Sequence, residues 1–66
     1  MNINEHFGKQ VRKLRLQQKL SQETLANMAE IDRTYLPDIE RGIRNVSLVV
    51  AERIAKALNK ELKDLL

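Results

Sequence analysis

Cysteine and tryptophan are absent from this chain; histidine, proline, phenylalanine and tyrosine occur once each, and glycine twice. Without cysteine, neither a disulfide nor a thiolate metal site can hold 66 residues together. The single histidine, His6, cannot build a zinc site alone. No nucleophile–base set and no glycine-rich phosphate loop can be assembled, so neither an enzyme, a metal, a cofactor nor a small-molecule ligand is expected. One Phe and one Tyr are too few for the stacking platform of a single-strand RNA binder. No apolar run approaches the ~18 residues of a membrane span, and Met1–Glu5 lacks the apolar core of a signal peptide. No membrane partner is expected, and a cytoplasmic location follows by default.

What is present reads as helix. With 42% apolar residues and so little glycine and proline, the chain is expected to be an ordered all-α domain spanning residues 1–66. A domain of this size is marginal, which leaves helix packing and self-association as its supports. The net charge of +3 is a mild basic excess, compatible with a polyanionic partner.

Ile3, Phe7, Val11 and Leu14 recur at helical spacing and predict a first helix over residues 3–18, with Asn4 as its cap. Leu20 belongs to the core in the link. Ser21 caps a second helix from Gln22 to about Met28, and Glu23 in its first turn suits the helix dipole. Asp32 caps a third helix from Arg33 to Arg41, ended by Gly42, where positive φ is often needed. Ser47 caps a fourth, whose inner face carries Leu48, Ala51, Ile54, Ala55 and Leu58. Leu62, Leu65 and Leu66 suffice for a short fifth.

Leu25, Ile31, Leu36 and Ile39 can meet only if the chain reverses near 29–31, with Ala26 allowing close approach. That is the construction of a helix-turn-helix, whose second helix enters the DNA major groove. Pro37 conflicts with it. As the fifth residue of a helix from Arg33 it removes a hydrogen bond and crowds a carbonyl, at a cost of about 3 kcal/mol. Either the helix opens with a tighter turn and bends at 33–36, the outcome favoured here, or it begins later.

The residues Leu14-Arg15, Leu20-Ser21-Gln22-Glu23-x-Leu25-Ala26, Tyr35-Leu36-x-x-Ile39-Glu40-Arg41-Gly42, Ser47-Leu48 and Ile54-Ala55-x-Ala57-Leu58 resemble the XRE (Cro and phage-repressor-like) helix-turn-helix family over about residues 7–66. Asp32-Arg33-Thr34-Tyr35 with Glu40-Arg41-Gly42-x-Arg44-Asn45-Val46-Ser47-Leu48 is most similar to the controller proteins of restriction–modification systems. The resemblance implies a five-helix phage-repressor-like domain with the helix-turn-helix at helices 2 and 3. Three positions depart from the pattern besides Pro37. Lys19 and Glu30 stand where glycine is usual, each costing on the order of 1 kcal/mol if the backbone there is left-handed, and Ala51 replaces a commoner Leu.

The resemblance places Arg33 and Thr34 at base edges, Arg33 donating two bonds to a guanine. Their alternative is a solvated helix start. It puts Arg44 on a base or phosphate, and Tyr35, Asn45 and Ser47 at the DNA backbone. Tyr35 reads equally as a half-buried packing residue, and Ser47 more securely as a cap. Gln22, opening the second helix, is suited to hold a phosphate. Arg15 and Glu40 are expected to form a structural clamp rather than DNA contacts.

A module this small binds DNA weakly alone. The expected function is therefore that of a sequence-specific regulator, a homodimer on double-stranded DNA with half-sites ~34 Å apart. Val49, Val50, Leu62, Leu65 and Leu66 are its candidate dimer surface. The rival reading is an antitoxin-type protein-interaction module.

Overall fold

In a computed structural model, which describes residues 2–66, the chain folds as α1 (Ile3–Gln17), α2 (Gln22–Ala29), α3 (Tyr35–Arg41), α4 (Leu48–Ala57) and a closing 3-10 turn (Leu62–Leu65). Among the described residues there are thus four α-helices, and the expected fifth is only this 3-10 turn. α1 packs chiefly on α3 and α2 on α4, while the 3-10 turn lies against α4 and α1. Phe7, Val11, Leu25, Ala26, Leu36, Ile39, Ala51, Ile54, Ala55, Leu58 and Leu65 are buried between them.

Of the four N-caps read from the sequence, Ser21 and Ser47 are in place, whereas α3 has Thr34 and not Asp32 at that position. Ser21 Oγ accepts from Thr24 N at 3.0 Å and Ser47 Oγ from Val50 N at 3.1 Å. At α1, however, the cap is Asn2, whose Oδ1 accepts from Glu5 N at 2.8 Å; Asn4 lies inside the helix. Two apolar residues assigned to inner stripes are exposed, Ile3 (63%) and Leu48 (76%). Each is the first residue of its helix.

All four α-helices end alike. Lys19, Glu30, Gly42 and Asn59 have φ of 58°, 59°, 79° and 60°. In each case the next residue's N–H reaches back five positions: Leu20 to Arg15, Ile31 to Ala26, Ile43 to Asp38, Lys60 to Ala55. This is the left-handed C-cap that satisfies orphan carbonyls and turns the chain sharply. Gly and Asn adopt it readily, whereas Lys19 and Glu30 are strained. Glu30→Gly is expected to stabilise the domain by about 0.5–1 kcal/mol, raising Tm by about 3–8 °C in a thermal melt. An unchanged or lower Tm would contradict a strained left-handed residue at this turn.

The third helix begins two residues later than expected. Asp32 still organises its entry: Thr34 N and Thr34 Oγ1 donate to Asp32 Oδ1 at 2.9 and 2.8 Å. The Tyr35 N–H closes a tight turn on Asp32 O at 3.0 Å, and the α-helix proper starts at Tyr35. Pro37 then stands in the first turn, where an N–H has no intrahelical partner to lose. A tight turn followed by a late start replaces the favoured bend in a helix from Arg33. The Thr34 backbone bond, then its hydroxyl, hold the Asp32 carboxyl below its ordinary 3.8. Since the charged form is the one favoured in the fold, this support is present above pH 3.8 and fades as pH falls through the lowered value.

Candidate nucleic-acid interface

The helix-turn-helix is fixed to its scaffold by a buried polar network. Arg15 Nε donates to Glu40 Oε2 at 2.7 Å, and its Nη2 to Glu40 Oε1 at 3.1 Å. Arg15 Nη1 donates to Leu20 O at 2.8 Å, on the link between α1 and α2. Gln22 Nε2 adds a third bond to Glu40, at 3.1 Å to Oε1. One carboxylate therefore ties α1, α2 and α3 together, and Arg15 also holds the link. Among the described residues no buried side-chain polar atom is left without a partner. The bidentate geometry fixes orientation as well as distance. Gln22, read as a phosphate anchor, has its side-chain amide engaged inward; what remains for a phosphate is the backbone at the start of α2.

The backbones of α1 and α3 also meet directly. Gly8 on α1 lies against the C-terminal half of α3: a β-carbon there would stand 2.2 Å from Ile39 O and 2.8 Å from Glu40 O. In the sequence, Gly8 is marked only as a glycine beside Phe7 within a helical stripe.

Outside this clamp, the polar residues at the start of α3 and in the loop after it are exposed. Tyr35, Arg44, Asn45 and Ser47 line one shallow cleft, together with Ile39 and Val50. The Arg44 guanidinium sits over the Tyr35 ring, 4.2 Å from its centroid, an attraction of cation and π-face. Tyr35, 42% exposed, is thus a platform for Arg44. Asn45 Oδ1 accepts from Asn4 Nδ2 at 2.6 Å, joining the loop to α1. Arg33 and Thr34 form the turn just before Tyr35. Arg33 Nη1 bonds Glu23 Oε2 across the helix-turn-helix, a partner that sequence reading treated only as a dipole-compensating residue. The arrangement offers exposed cations and neutral donors on one turn and one loop, held by a rigid frame. It suits a polyanion with readable edges.

The candidate dimer residues divide. Leu65 is fully buried in the core, because the 3-10 turn folds back onto α4 and α1, and it leaves the set. Val50 and Leu62 are half-buried against the same core, whereas Val49 (62% exposed) and Leu66 remain at the surface.

Residues 11–65 match the helix-turn-helix family model. The chain is 53% identical to the control protein C.BamHI of Bacillus amyloliquefaciens, over 98% of this chain and 82% of that protein. It is 46% identical to the crystal structure of the restriction–modification controller protein C.AhdI from Aeromonas hydrophila, with a TM-score of 0.92 and 96% of both chains covered. It is also similar to the controller protein C.Esp1396I, solved as a tetramer with its natural 35 base-pair operator, at 31% identity and a TM-score of 0.88, over 98% of this chain and 86% of that one.

Proposed function

Since this chain belongs to the helix-turn-helix family, and within it to the controller proteins of restriction–modification systems, we propose that it is a sequence-specific regulator of transcription, a homodimer that binds a pseudo-palindromic operator and controls a restriction–modification operon. The observation that carries this reading is the exposed set Arg33, Thr34, Arg44 and Asn45, mounted on a helix-turn-helix that the Arg15–Glu40 pair holds rigid. The surface offers cations and hydrogen-bond donors, with the Glu23 and Asp32 carboxylates engaged by Arg33 and Thr34.

Each side chain has a distinct task. Arg33, bonded to Glu23 through Nη1, keeps its Nε–Nη2 edge for guanine O6 and N7. Thr34 reaches a neighbouring base, and Arg44 extends from the Tyr35 ring to a base or phosphate. Asn45, Ser47, Tyr35 and the backbone of Gln22 set the register on phosphates. Dimerisation uses Val49 and Leu66, with the exposed Leu48 added. It supplies the second half-site that so small an interface requires.

Selection from random duplex DNA, followed by affinity against salt, tests the reading. A two-fold-symmetric site with a steep salt slope is expected. No enriched site would favour the antitoxin-type interaction module instead. On the selected duplex, Arg33→Ala is expected to cost about 1–3 kcal/mol and to relax preference at one base pair of each half-site. A uniform loss across all sequences would assign Arg33 to a phosphate.

A further inference from the structure

The loop after α3 is seated on the first turn of α1. A β-carbon on Gly42 would stand 2.6 Å from Glu5 Cα, so the chain leaves α3 directly against that turn. Next to this contact, Asn4 Nδ2 donates to Asn45 Oδ1 at 2.6 Å, across 41 positions of sequence. A carboxamide has one accepting end and one donating end. Phosphate oxygens only accept. With its oxygen taken by Asn4, Asn45 can meet a polyanion only with Nδ2 and its two hydrogens. Turned over, it would present oxygen to oxygen. Asn45 is exposed and lines the same cleft as Tyr35, Arg44 and Ser47.

We propose that Asn4 is a positioning residue for DNA binding, which holds the Asn45 carboxamide by its oxygen, leaves its Nδ2 to donate outward, and couples α1 to the reading loop without touching DNA itself. The proposal rests on the DNA-binding reading above. It gives α1 a part in recognition beyond supporting the core. It also gives the first turn of α1 two separate duties: Asn2 caps the helix and Asn4 orients the loop.

The experiment uses the full chain and the duplex that the unsubstituted chain enriches from random sequence, at one salt concentration. Asn4→Ala is expected to weaken binding about three- to tenfold, the worth of one well-aimed hydrogen bond, with Tm within about 2 °C. Asn4→Asp is expected to weaken it further, since a carboxylate accepts from Asn45 Nδ2 and reverses the amide. In an Asn45→Ala background, Asn4→Ala is expected to have no effect, and Asn4→Asp to show only the smaller loss due to its added charge. Equal losses in both backgrounds, or none in either, overturn the proposal. A chain that enriches no duplex overturns the DNA-binding reading, and this proposal with it. A well-bound duplex whose affinity ignores Asn4 overturns this proposal alone.

Discussion

Gly8→Ala is expected to unfold this domain or come close to it. Helix propensity alone says the opposite, because alanine inside a helix is worth about 1 kcal/mol over glycine. The new β-carbon would lie 2.2 Å from Ile39 O, 2.8 Å from Glu40 O and 3.0 Å from Glu40 C. All three are backbone atoms of α3, so no side-chain rotation relieves the overlap. α1 and α3 must separate, and their shared core of Phe7, Val11, Leu36 and Ile39 loosens with them. Overpacking of this kind costs about 3 kcal/mol or more when the backbone itself must move. A 66-residue domain has roughly 3–10 kcal/mol in all. Urea denaturation followed by circular dichroism measures the difference, with Lys9→Ala, on the exposed face of the same helix, expected to be nearly neutral. A stabilised Gly8→Ala variant would show that α1 and α3 do not approach so closely.

Glu40→Ala is expected to cost about 3–5 kcal/mol, because it strands the Arg15 guanidinium in a buried position with only Leu20 O for company. The Gln22 amide loses its acceptor in the same step. Replacing both charges, as in Arg15→Met with Glu40→Leu, is expected to recover most of that stability, since no unpaired charge is then buried. Full denaturant curves of the two single variants and the double one give the coupling directly. If the single losses simply add, the pair is not coupled and the clamp is not what fixes α3. DNA affinity of the folded double variant separates stability from aim. An apolar pair holds the helices together, but it lacks the bidentate geometry and the Gln22 bond that orient α3 on α2.

Much of the fold was legible because its punctuation is local. Ser21 and Ser47 precede their helices, Gly42 follows α3, and the apolar spacing from Leu25 to Ile39 forces a reversal. Lys19 and Glu30 stand where glycine is usual, and both are left-handed. Asn2 and Asn4 are equivalent to a reader of sequence, since either can cap. Only the backbone shows which N–H lies within reach. Pro37 conflicts only with a helix that starts at Arg33, two residues too early, a start that Asp32 suggests by looking like the cap of whatever follows it. Its carboxylate in fact organises a turn, and the helix opens after that turn closes. Leu65 stands with Leu62 and Leu66 among the candidate dimer residues. Nothing local says that a 3-10 turn would fold back and bury it.

The candidate interface divides in the same way. Arg33, Thr34, Arg44 and Asn45 are candidates by their place relative to a motif. Their partners are not, because Glu23 with Arg33, Tyr35 with Arg44 and Asn4 with Asn45 are contacts between segments that carry no mark of each other. By itself the sequence determined four helical segments, the Ser21 and Ser47 caps, the reversal between α2 and α3, and the family to which the chain belongs. Each is written in spacing or in residue type within a few positions. The tertiary structure alone decided that Gly8 is a backbone contact, that Leu65 is core, and that Asn4 faces Asn45. These depend on where a distant segment's backbone comes to rest, and packing, not local preference, sets that position.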